Sequence, residues 1–315
     1  MTVKVWVADK LSQEAVDKIN AMNGFEAVVN VGLSPEAQAE IIGDFDAMIV
    51  RSATKLNATL AAKADKLKVV VRAGIGVDNI DIPACTEKGI TVENTPFGNT
   101  VTTAEHAIAL MFSLARHVPQ ATASMKEGKW EKKKFEGTQI EGKTLGVIGT
   151  GNIGSIVCRK AVALGMNVLA SDPFLTAEKA AELGVVKVEL DELFSHAKII
   201  TIHTPLIDAT KNLLNADAFG KMQPGTLLVC AARGGIVNED DLAAALENGT
   251  VAGAALDVFS VEPPNPDHPL FRSDKVILTP HLGASTKQAQ INVGLDAADQ
   301  IQAFFDRDEK INALN

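Results

Sequence analysis

The chain has 315 residues, of which 46% are hydrophobic and 22% charged. Its 30 lysines and arginines against 39 aspartates and glutamates give a formal net charge of −9, which argues against nucleic acid as a partner. The length and composition predict two folded domains, each with its own core. The sequence has neither a membrane-spanning stretch nor an apolar leader before a cleavage site, so we expect no membrane partner and no export.

The cysteines bear on compartment and metal binding. Cys85, Cys158 and Cys230 are far apart and form no CxxC pair, which indicates neither a disulfide framework nor a thiolate zinc site. The histidines show no HxxxH or HExxH spacing, so no metal is predicted. Reduced cysteines favour a cytoplasmic location.

Short β-branched runs alternate with amphipathic segments in the first part of the chain. The predicted strands are VKVWVA at 3–8, EAVVNV at 26–31, AMIVR at 47–51, KVVVRA at 68–73 and ITVEN at 90–94. Helical patterns lie between strands at 11–23 and 34–42. This alternation predicts a parallel sheet that is covered on both faces.

A longer helix is predicted from Thr102 to His117, because apolar residues recur there at spacings of three and four. Thr102 and Glu105 fit a capping box at its start, and Pro119 ends it. A second βα series follows the basic stretch KWEKKKF at 129–135. Its predicted strands are KTLGVIG, NVLASD, KIITIH, GTLLVCAA, VAGAALDV and KVILTP. The sequence therefore contains two α/β units.

The first strand of the second series runs through GTGNIG into a helical pattern. In this context Gly149 permits a tight turn, Gly151 lets a pyrophosphate approach the backbone, and Gly154 lets the helix lie close to the strand. The next strand ends at Asp172, whose carboxylate can bind an adenosine ribose and repels a 2′-phosphate. Since no arginine or lysine directly follows Asp172, NAD is predicted over NADP. A glycine-rich turn followed by a capping aspartate is the simpler alternative.

Three polar residues follow later strands of this series, where ligands bind in open α/β sheets. Arg233 follows LLVCAA, Glu262 lies beyond AALDVFS, and His281 follows VILTP. An arginine can hold a carboxylate bidentately, and a histidine can exchange a hydroxyl proton near neutral pH. A glutamate bonded to that histidine would fix its tautomer and favour its protonated form. Together they suit alcohol-to-ketone chemistry beside a nicotinamide, although each alone also fits a structural or surface role. The other histidines are interpreted as structural or exposed: His106, His117, His196, His203 and His268.

Several of these segments resemble the D-isomer-specific 2-hydroxyacid dehydrogenase family. The matching segments are GTGNIG at 149–154, AARGGIVNEDDL at 231–242, AALDVFSVEPP at 254–264 and PHLGAS at 280–285. The resemblance implies two doubly wound parallel-sheet domains. One is a Rossmann-type NAD-binding domain at 98–281, and the other is a discontinuous flavodoxin-like substrate domain at 1–97 and 282–315.

The resemblance also assigns roles to individual residues. Arg233 would bind the substrate carboxylate and keto oxygen, His281 would be the acid or base, and Glu262 would be its partner. Asp257 would contact the nicotinamide. The implied cofactor-binding residues are Gly149, Gly151, Asn152, Ile153, Gly154, Asp172, Thr204, Ala231, Asp257 and Gly283. The implied substrate-binding residues are Arg51, Ser52, Gly74, Ile75, Lys132 and Lys134, the last two of which also fit a solvated helix face.

Within the family the chain resembles most the members that oxidise 3-phosphoglycerate to 3-phosphohydroxypyruvate with NAD, the first step of serine biosynthesis. The segments that carry this likeness are 71–81, 94–106 and 120–137. A phosphorylated 2-hydroxy acid is the implied substrate, and a homodimer is implied, with a homotetramer as the alternative. Two other functions stay open, a glyoxylate or hydroxypyruvate reductase and an NAD-sensing corepressor-like binding protein. Because the chain stops at Asn315, we expect no serine inhibition through a C-terminal regulatory domain.

Overall fold

The computed structural model describes residues 2–315 and divides into two compact units. The first unit comprises Met1–Asn99 and Ala284–Asn315, and the second comprises Thr100–Gly283. Each unit is built on one parallel β-sheet. Within the described residues, no helix combines the length and the apolar character needed to cross a bilayer.

The sheet of the first unit has five strands in the order β2-β1-β3-β4-β5. The strands are β1 (Val3–Val7), β2 (Phe25–Val29), β3 (Ala47–Val50), β4 (Val69–Arg72) and β5 (Thr91–Asn94). The helices are α1 (Gln13–Ala21), α2 (Pro35–Ile41), α3 (Ala58–Ala61), α4 (Ile82–Glu87) and α12 (Lys287–Arg307). The register is regular, since β1 pairs with β2 from Val3 opposite Phe25 to Val7 opposite Val29. This strand order is flavodoxin-like.

Both faces of this sheet are buried, which explains why its strands are continuous apolar runs. Successive strand residues point to opposite faces. Val5 accordingly belongs to an apolar cluster that includes Val293 and Ile301 of α12, whereas Trp6 belongs to the cluster on the other face, with Met48.

The end of the chain packs along β5. Ala313 forms an antiparallel bridge with Glu93, and the Leu314 N–H donates to Val92 O at 2.9 Å. The side chain of Asn315 accepts from the Val92 N–H at 2.8 Å. These contacts bury the carboxylate of Glu93.

The sheet of the second unit has seven strands in the order β12-β11-β10-β9-β6-β7-β8. The strands are β6 (Thr144–Ile148), β7 (Asn167–Ser171), β8 (Val186–Lys187), β9 (Ile199–Ile202), β10 (Thr226–Cys230), β11 (Val251–Leu256) and β12 (Val276–Leu278). The helices are α5 (Thr100–Ala115), α6 (Val118–Lys126), α7 (Asn152–Ala163), α8 (Ala177–Leu183), α9 (Leu190–His196), α10 (Ala216–Gly220) and α11 (Glu239–Glu247).

Six of these strands, β6 to β11, follow the Rossmann order, and β12 adds a seventh beside β11. The strand order reverses at β6, which pairs with β7 on one side and with β9 on the other. Ligands of open α/β sheets bind at the carboxyl ends of strands near such a reversal. The predicted fold class, two doubly wound parallel sheets of Rossmann and flavodoxin type, is therefore confirmed.

The start of α5 differs from the prediction. The helix begins at Thr100, so Thr102 lies inside its first turn and the predicted capping box with Glu105 is wrong. Thr100 and Thr103, three residues apart on one face, are both buried, so this face extends the packed helix beyond the predicted start. The helix ends at Ala115, and Pro119 lies in the first turn of α6, where its missing N–H has no helical partner to lose.

Candidate active site

The glycine-rich loop joins β6 to α7, and its three glycines have different surroundings. Gly149 has a φ of +87°, and a Cβ there would lie 2.9 Å from the carbonyl oxygen of His203. A Cβ on Gly154 would collide with the carbonyl oxygen of Gly149. A Cβ on Gly151 would meet no atom within 4 Å. The outer two glycines are therefore required by packing, whereas Gly151 faces open space.

The start of α7 suits an anion. Gly151 is the N-cap residue, and no side chain within the described residues caps this helix. Asn152 and Ile153 form the first helical positions, and Ile153 packs against an apolar cluster of the unit. Backbone N–H groups at an uncapped helix start carry partial positive charge and bind phosphate groups.

Asp172 follows β7 beside this loop. Its Oδ2 accepts from the N–H of Thr150 at 2.6 Å and from the Thr150 hydroxyl at 3.1 Å, and its Oδ1 accepts from the Phe174 N–H at 2.8 Å. Each carboxylate oxygen can accept two hydrogen bonds, so Oδ1 keeps capacity for a further donor. The carboxylate is thus fixed at the edge of the glycine-rich loop, as ribose binding requires.

Two side chains after β9 lie under the loop. Burial lowers the pKa of His203 to about 4, and its Nε2 lies 3.0 Å from the Thr201 hydroxyl, so this imidazole is neutral. The hydroxyl oxygen of Thr204 is buried and has no hydrogen-bond partner within residues 2–315. An unpaired buried hydroxyl beside Gly149 is the feature expected where a ligand supplies the missing partner. The uncapped helix, the open face of Gly151 and this hydroxyl together fit a dinucleotide.

The three predicted catalytic residues lie on loops that follow adjacent strands. Arg233 lies on the Arg233 loop (residues 231–238) after β10, and Glu262 on the Glu262 loop (residues 257–263) after β11. His281 lies on the His281 loop (residues 279–283) after β12. Because β10, β11 and β12 are neighbours in a parallel sheet, their carboxyl ends bring these loops to one edge.

Glu262 and His281 form a hydrogen-bonded pair. Glu262 Oε2 lies 2.7 Å from His281 Nδ1, and the two side chains are 36% and 48% exposed. Because a carboxylate only accepts, Nδ1 carries the proton and Nε2 is the nitrogen left to exchange one with a ligand. His281 has a φ of +54°, a conformation rare in residues other than glycine, and its N–H donates to Asp257 O at 2.9 Å.

Arg233 is half-buried, and its Nη1 donates to the carbonyl oxygen of Ala232 at 2.8 Å. Ala231, at the start of the same loop, is buried. A Cβ on Gly234 would collide with the carbonyl oxygen of Phe259, so the Arg233 loop packs directly against the Glu262 loop. Glu262 and His281 are thus linked by a hydrogen bond. The loop that bears Arg233 contacts the Glu262 loop through the backbone, where Gly234 meets Phe259.

Asp257 anchors the His281 loop from below. Its buried carboxylate accepts from the Thr279 hydroxyl at 2.6 Å and from the N–H groups of Leu282 and Gly283 at 2.7 and 2.8 Å. His106 Nε2, on α5, lies 3.2 Å from Oδ1. Burial raises the pKa of Asp257, but hydrogen bonds from these four residues outweigh it, so the net pKa is lowered. Its contact with a nicotinamide stays a prediction.

The predicted substrate residues Arg51 and Ser52 lie on a loop after β3 in the first unit. The carboxylate of Asp9 holds this loop by accepting from the Arg51 N–H at 2.6 Å and from the Thr54 hydroxyl at 2.7 Å. Asn79 Nδ2 donates to the carbonyl oxygens of Arg51 and Thr54 at 2.8 and 2.6 Å. Burial lowers the pKa of Arg51 despite the nearby charge of Asp9.

Neither Asp9 nor Asn79 is predicted as a site residue from the sequence. One signal was available for Asp9, because it comes directly after the first predicted strand, at the edge where ligands bind.

Gly74 and Ile75 follow β4 and were predicted to hold the substrate through their backbone amides. In this structure the Gly74 N–H donates to the Thr95 hydroxyl at 2.7 Å, and Asn94 Nδ2 donates to the carbonyl oxygen of Ile75 at 2.7 Å. The substrate roles of Gly74 and Ile75 stay predictions.

Lys132 and Lys134 are exposed and lie on a short 3-10 turn, Lys132–Phe135, in the second unit. Their role in substrate binding stays a prediction.

Comparison with known proteins assigns the chain to a family. Residues 108–283, more than half of the chain, match the family model for the D-isomer specific 2-hydroxyacid dehydrogenase, NAD binding domain. A D-3-phosphoglycerate dehydrogenase of Archaeoglobus fulgidus is 50% identical over 299 residues, which are 95% of this chain and 56% of that protein. One of Synechocystis is 47% identical over 299 residues, covering 95% of this chain and 53% of that protein. The chain spans about half the length of the curated relatives it matches.

The structure is also similar to that of a glyoxylate reductase from Paecilomyes thermophila, with a TM-score of 0.89 and 26% identity over 99% of this chain and 98% of that one. The matched range contains the seven-stranded sheet, the glycine-rich loop and the Glu262–His281 pair. The chain belongs to the D-isomer specific 2-hydroxyacid dehydrogenase family.

Proposed function

We propose that this chain is an NAD-dependent dehydrogenase that oxidises 3-phosphoglycerate to 3-phosphohydroxypyruvate. The observation that carries the chemistry is the 2.7 Å bond between Glu262 Oε2 and His281 Nδ1, on loops beside the one that bears Arg233. The identity of the substrate rests on the relatives named D-3-phosphoglycerate dehydrogenase, which match 95% of the chain.

Arg233, His281 and Glu262 have separate tasks in the proposed reaction, which follow from their charge and hydrogen bonding. Arg233 holds the substrate carboxylate through a planar guanidinium that fits two oxygens at once. His281 Nε2 takes the proton of the C2 hydroxyl, while Nδ1 keeps its own proton in the bond to Glu262. The negative charge of Glu262 stabilises the resulting imidazolium. NAD, when bound, supplies the acceptor for the hydride that leaves C2, so the proton and the hydride are both accounted for.

NAD would be held by the glycine-rich loop and the start of α7, with Asp172 beside the adenosine ribose. Thr204 supplies the buried hydroxyl that has no partner within residues 2–315. The carboxylate of Asp172 would repel a ribose phosphate, which supports NAD over NADP.

The phosphate needs cationic or N–H donors besides Arg233, because the substrate is charged at both ends. Arg51 and Ser52 are the proposed contacts, together with Lys132 and Lys134. Arg51 supports this assignment, because its Nε is buried without a hydrogen-bond partner in the described part of the chain.

A substrate panel tests the proposal. We expect kcat/KM to be highest for 3-phosphoglycerate with NAD, and in the reverse direction for 3-phosphohydroxypyruvate over hydroxypyruvate and glyoxylate. Arg233→Lys should raise KM, because an ammonium cannot hold the carboxylate bidentately. Asp208→Asn, an exposed substitution on another loop, is the matched control. A preference for an unphosphorylated substrate would overturn the proposal.

A glyoxylate or hydroxypyruvate reductase is the second candidate. The similarity to the glyoxylate reductase structure favours it, and Arg233, Glu262 and His281 would serve any 2-hydroxy acid. The same panel decides between the two through the effect of the phosphate. An NAD-sensing binding protein would bind the cofactor and turn over none of these substrates.

We also propose that the protein acts as a homodimer in the cytoplasm. Apolar side chains exposed on and just after α6, Val118 at 50%, Met125 at 54% and Trp130 at 80%, support a subunit interface. The three cysteines are free and buried, which suits a reducing compartment. Sedimentation equilibrium tests the assembly, and Met125→Glu should shift it toward the monomer.

A further inference from the structure

We propose that Glu239 is a positioning residue for the Glu262–His281 pair, because its carboxylate fixes the Glu262 loop against the Arg233 loop. The inference rests on the proposed function, since it assigns a task to the pair that the proposed reaction uses.

Glu239 is the first residue of α11, but its side chain turns toward the Glu262 loop. Its Oε1 accepts from the Ser260 N–H at 2.6 Å, two residues before Glu262. Its Oε2 lies 3.2 Å from His268 Nε2, and the Glu239 side chain is only 11% exposed. Both carboxylate oxygens of Glu239 therefore have a partner: one contacts Ser260 of the Glu262 loop, and the other contacts His268.

The hydrogen bonds of His268 fix its tautomer. Its Nδ1 accepts from the Leu270 N–H at 3.3 Å, so Nε2 carries the proton and donates to Glu239. Leu270 is buried in the apolar core of the unit, at 1% exposure. Hydrogen bonds thus connect Ser260 through Glu239 and His268 to the backbone of Leu270, whose side chain is buried in the core.

Gly234 restrains the same peptide from the other side. A Cβ on Gly234 would lie 2.6 Å from Ser260 N and would collide with the carbonyl oxygen of Phe259. The Phe259 N–H in turn donates to Glu262 Oε1 at 3.0 Å. The peptide between Phe259 and Ser260 is therefore held between Gly234 and Glu239, and Glu262 is left to present Oε2 to His281.

Loss of the Glu239 carboxylate should let this peptide move away from Gly234, with Glu262 attached. A misplacement of about 1 Å at reacting groups costs up to about 100-fold in rate. The alternative is that Glu239 merely stabilises the start of α11 through the helix dipole. Asp240 separates the two explanations, because it is exposed, carries the same charge and lies in the same first turn.

The test compares Glu239→Ala, Glu239→Gln and the matched control Asp240→Ala by steady-state kinetics, NADH binding and thermal unfolding. We expect Glu239→Ala to lower kcat by about 10- to 100-fold with little change in the KM for NAD. Glu239→Gln should recover part of kcat, because its amide oxygen can still accept from the Ser260 N–H. Asp240→Ala should stay within about twofold of the wild type. A kcat for Glu239→Ala within twofold of the wild type would overturn the proposal.

A second measurement reports the position of His281 directly. In protein labelled with ¹⁵N-histidine, the Nδ1 resonance of His281, assigned with His281→Asn, should show a bound proton in the wild type and in Asp240→Ala. In Glu239→Ala it should change toward that of a solvent-exposed imidazole. An unchanged His281 resonance would overturn the proposal, even if the variant were less stable. Absence of turnover in the wild type would count against the proposed function alone, because this resonance reports the contacts without any substrate.

Discussion

The three glycines of the β6–α7 loop allow a test that separates folding from cofactor binding. In Gly154→Ala the new Cβ would collide with the carbonyl oxygen of Gly149, which belongs to the turn directly after β6. Neither backbone can move without shifting α7 from the sheet, so the collision resembles overpacking of a core. Such overpacking costs about 1–3 kcal/mol of unfolding free energy. For a unit of this size that corresponds to a loss in Tm of about 2–4 °C for each kcal/mol.

Gly151→Ala should leave the unfolding free energy nearly unchanged and weaken cofactor binding. Its Cβ would meet no atom within 4 Å, so the unfolding free energy should change by less than about 1 kcal/mol. The same methyl group would occupy the space through which a pyrophosphate reaches the start of α7. We therefore expect the Kd for NADH to rise by about tenfold or more, a loss of about 1.4 kcal/mol.

The assay is urea unfolding of each variant, together with titration of NADH by calorimetry. Gly220→Ala is the matched control, because its Cβ would also meet no atom within 4 Å but it lies in α10, away from the glycine-rich loop. That variant should match the wild type in both measurements. Wild-type affinity of Gly151→Ala for NADH, or a loss of unfolding free energy as large as that of Gly154→Ala, would refute the separate roles of these two glycines.

Three further predictions concern protons and charge. His281→Asn should lower kcat by about 10²- to 10⁴-fold. Glu262→Gln should lower kcat by less, because a glutamine oxygen still accepts from Nδ1 of His281. Both variants should bind NADH as the wild type does, and a wild-type kcat in both would contradict the mechanism. Asp257→Asn should cost about 1–3 kcal/mol of unfolding free energy at neutral pH. Because the pKa of Asp257 is lowered in the folded state, the extra unfolding free energy of the wild type over Asp257→Asn should shrink as pH falls below about 4. A free-energy difference that stays constant in acid would refute a stabilising role of the Asp257 carboxylate. Burial raises the pKa of Glu93 to about 7, against a partial offset from the Ile311 backbone and Lys310, so the wild type should lose up to about 3 kcal/mol of stability as pH rises from about 4.5 through 7. Glu93→Gln should remove this dependence of unfolding free energy on pH, measured by urea titration. An unchanged pH dependence in Glu93→Gln would show that Glu93 is not its cause.

The strands illustrate what local pattern can predict. VKVWVA was predicted as a strand at 3–8 and is observed at Val3–Val7, because a strand buried on both faces has no polar alternation to obscure it. The two residues of β8, Val186 and Lys187, are both exposed and carry no such pattern, so they were not predicted. The start of α5 was misplaced by two residues, because burial of Thr100 decided it and not the nearest capping motif.

Two histidines show what pattern alone does not identify. His106 and His268 were interpreted as structural or exposed, and each lies 3.2 Å from a carboxylate, of Asp257 and Glu239 respectively. Nothing in the neighbouring sequence marks these partners. The pairs exist because α5 packs against β11 and β12, and α11 packs against β11 and the turn Pro269–Arg272.

The sequence by itself determined the elements whose cause is local: the apolar strands, the helices with one buried face, and the glycines at 149, 151 and 154. It also named Arg233, Glu262 and His281, because each follows a predicted strand. Only the tertiary structure decided that Glu262 accepts from Nδ1 of His281, that the Gly74 N–H donates to Thr95, and that Glu239 accepts from the Ser260 N–H. Those facts depend on contacts between residues distant along the chain, whose positions are fixed by strand order and loop packing and not by any short segment.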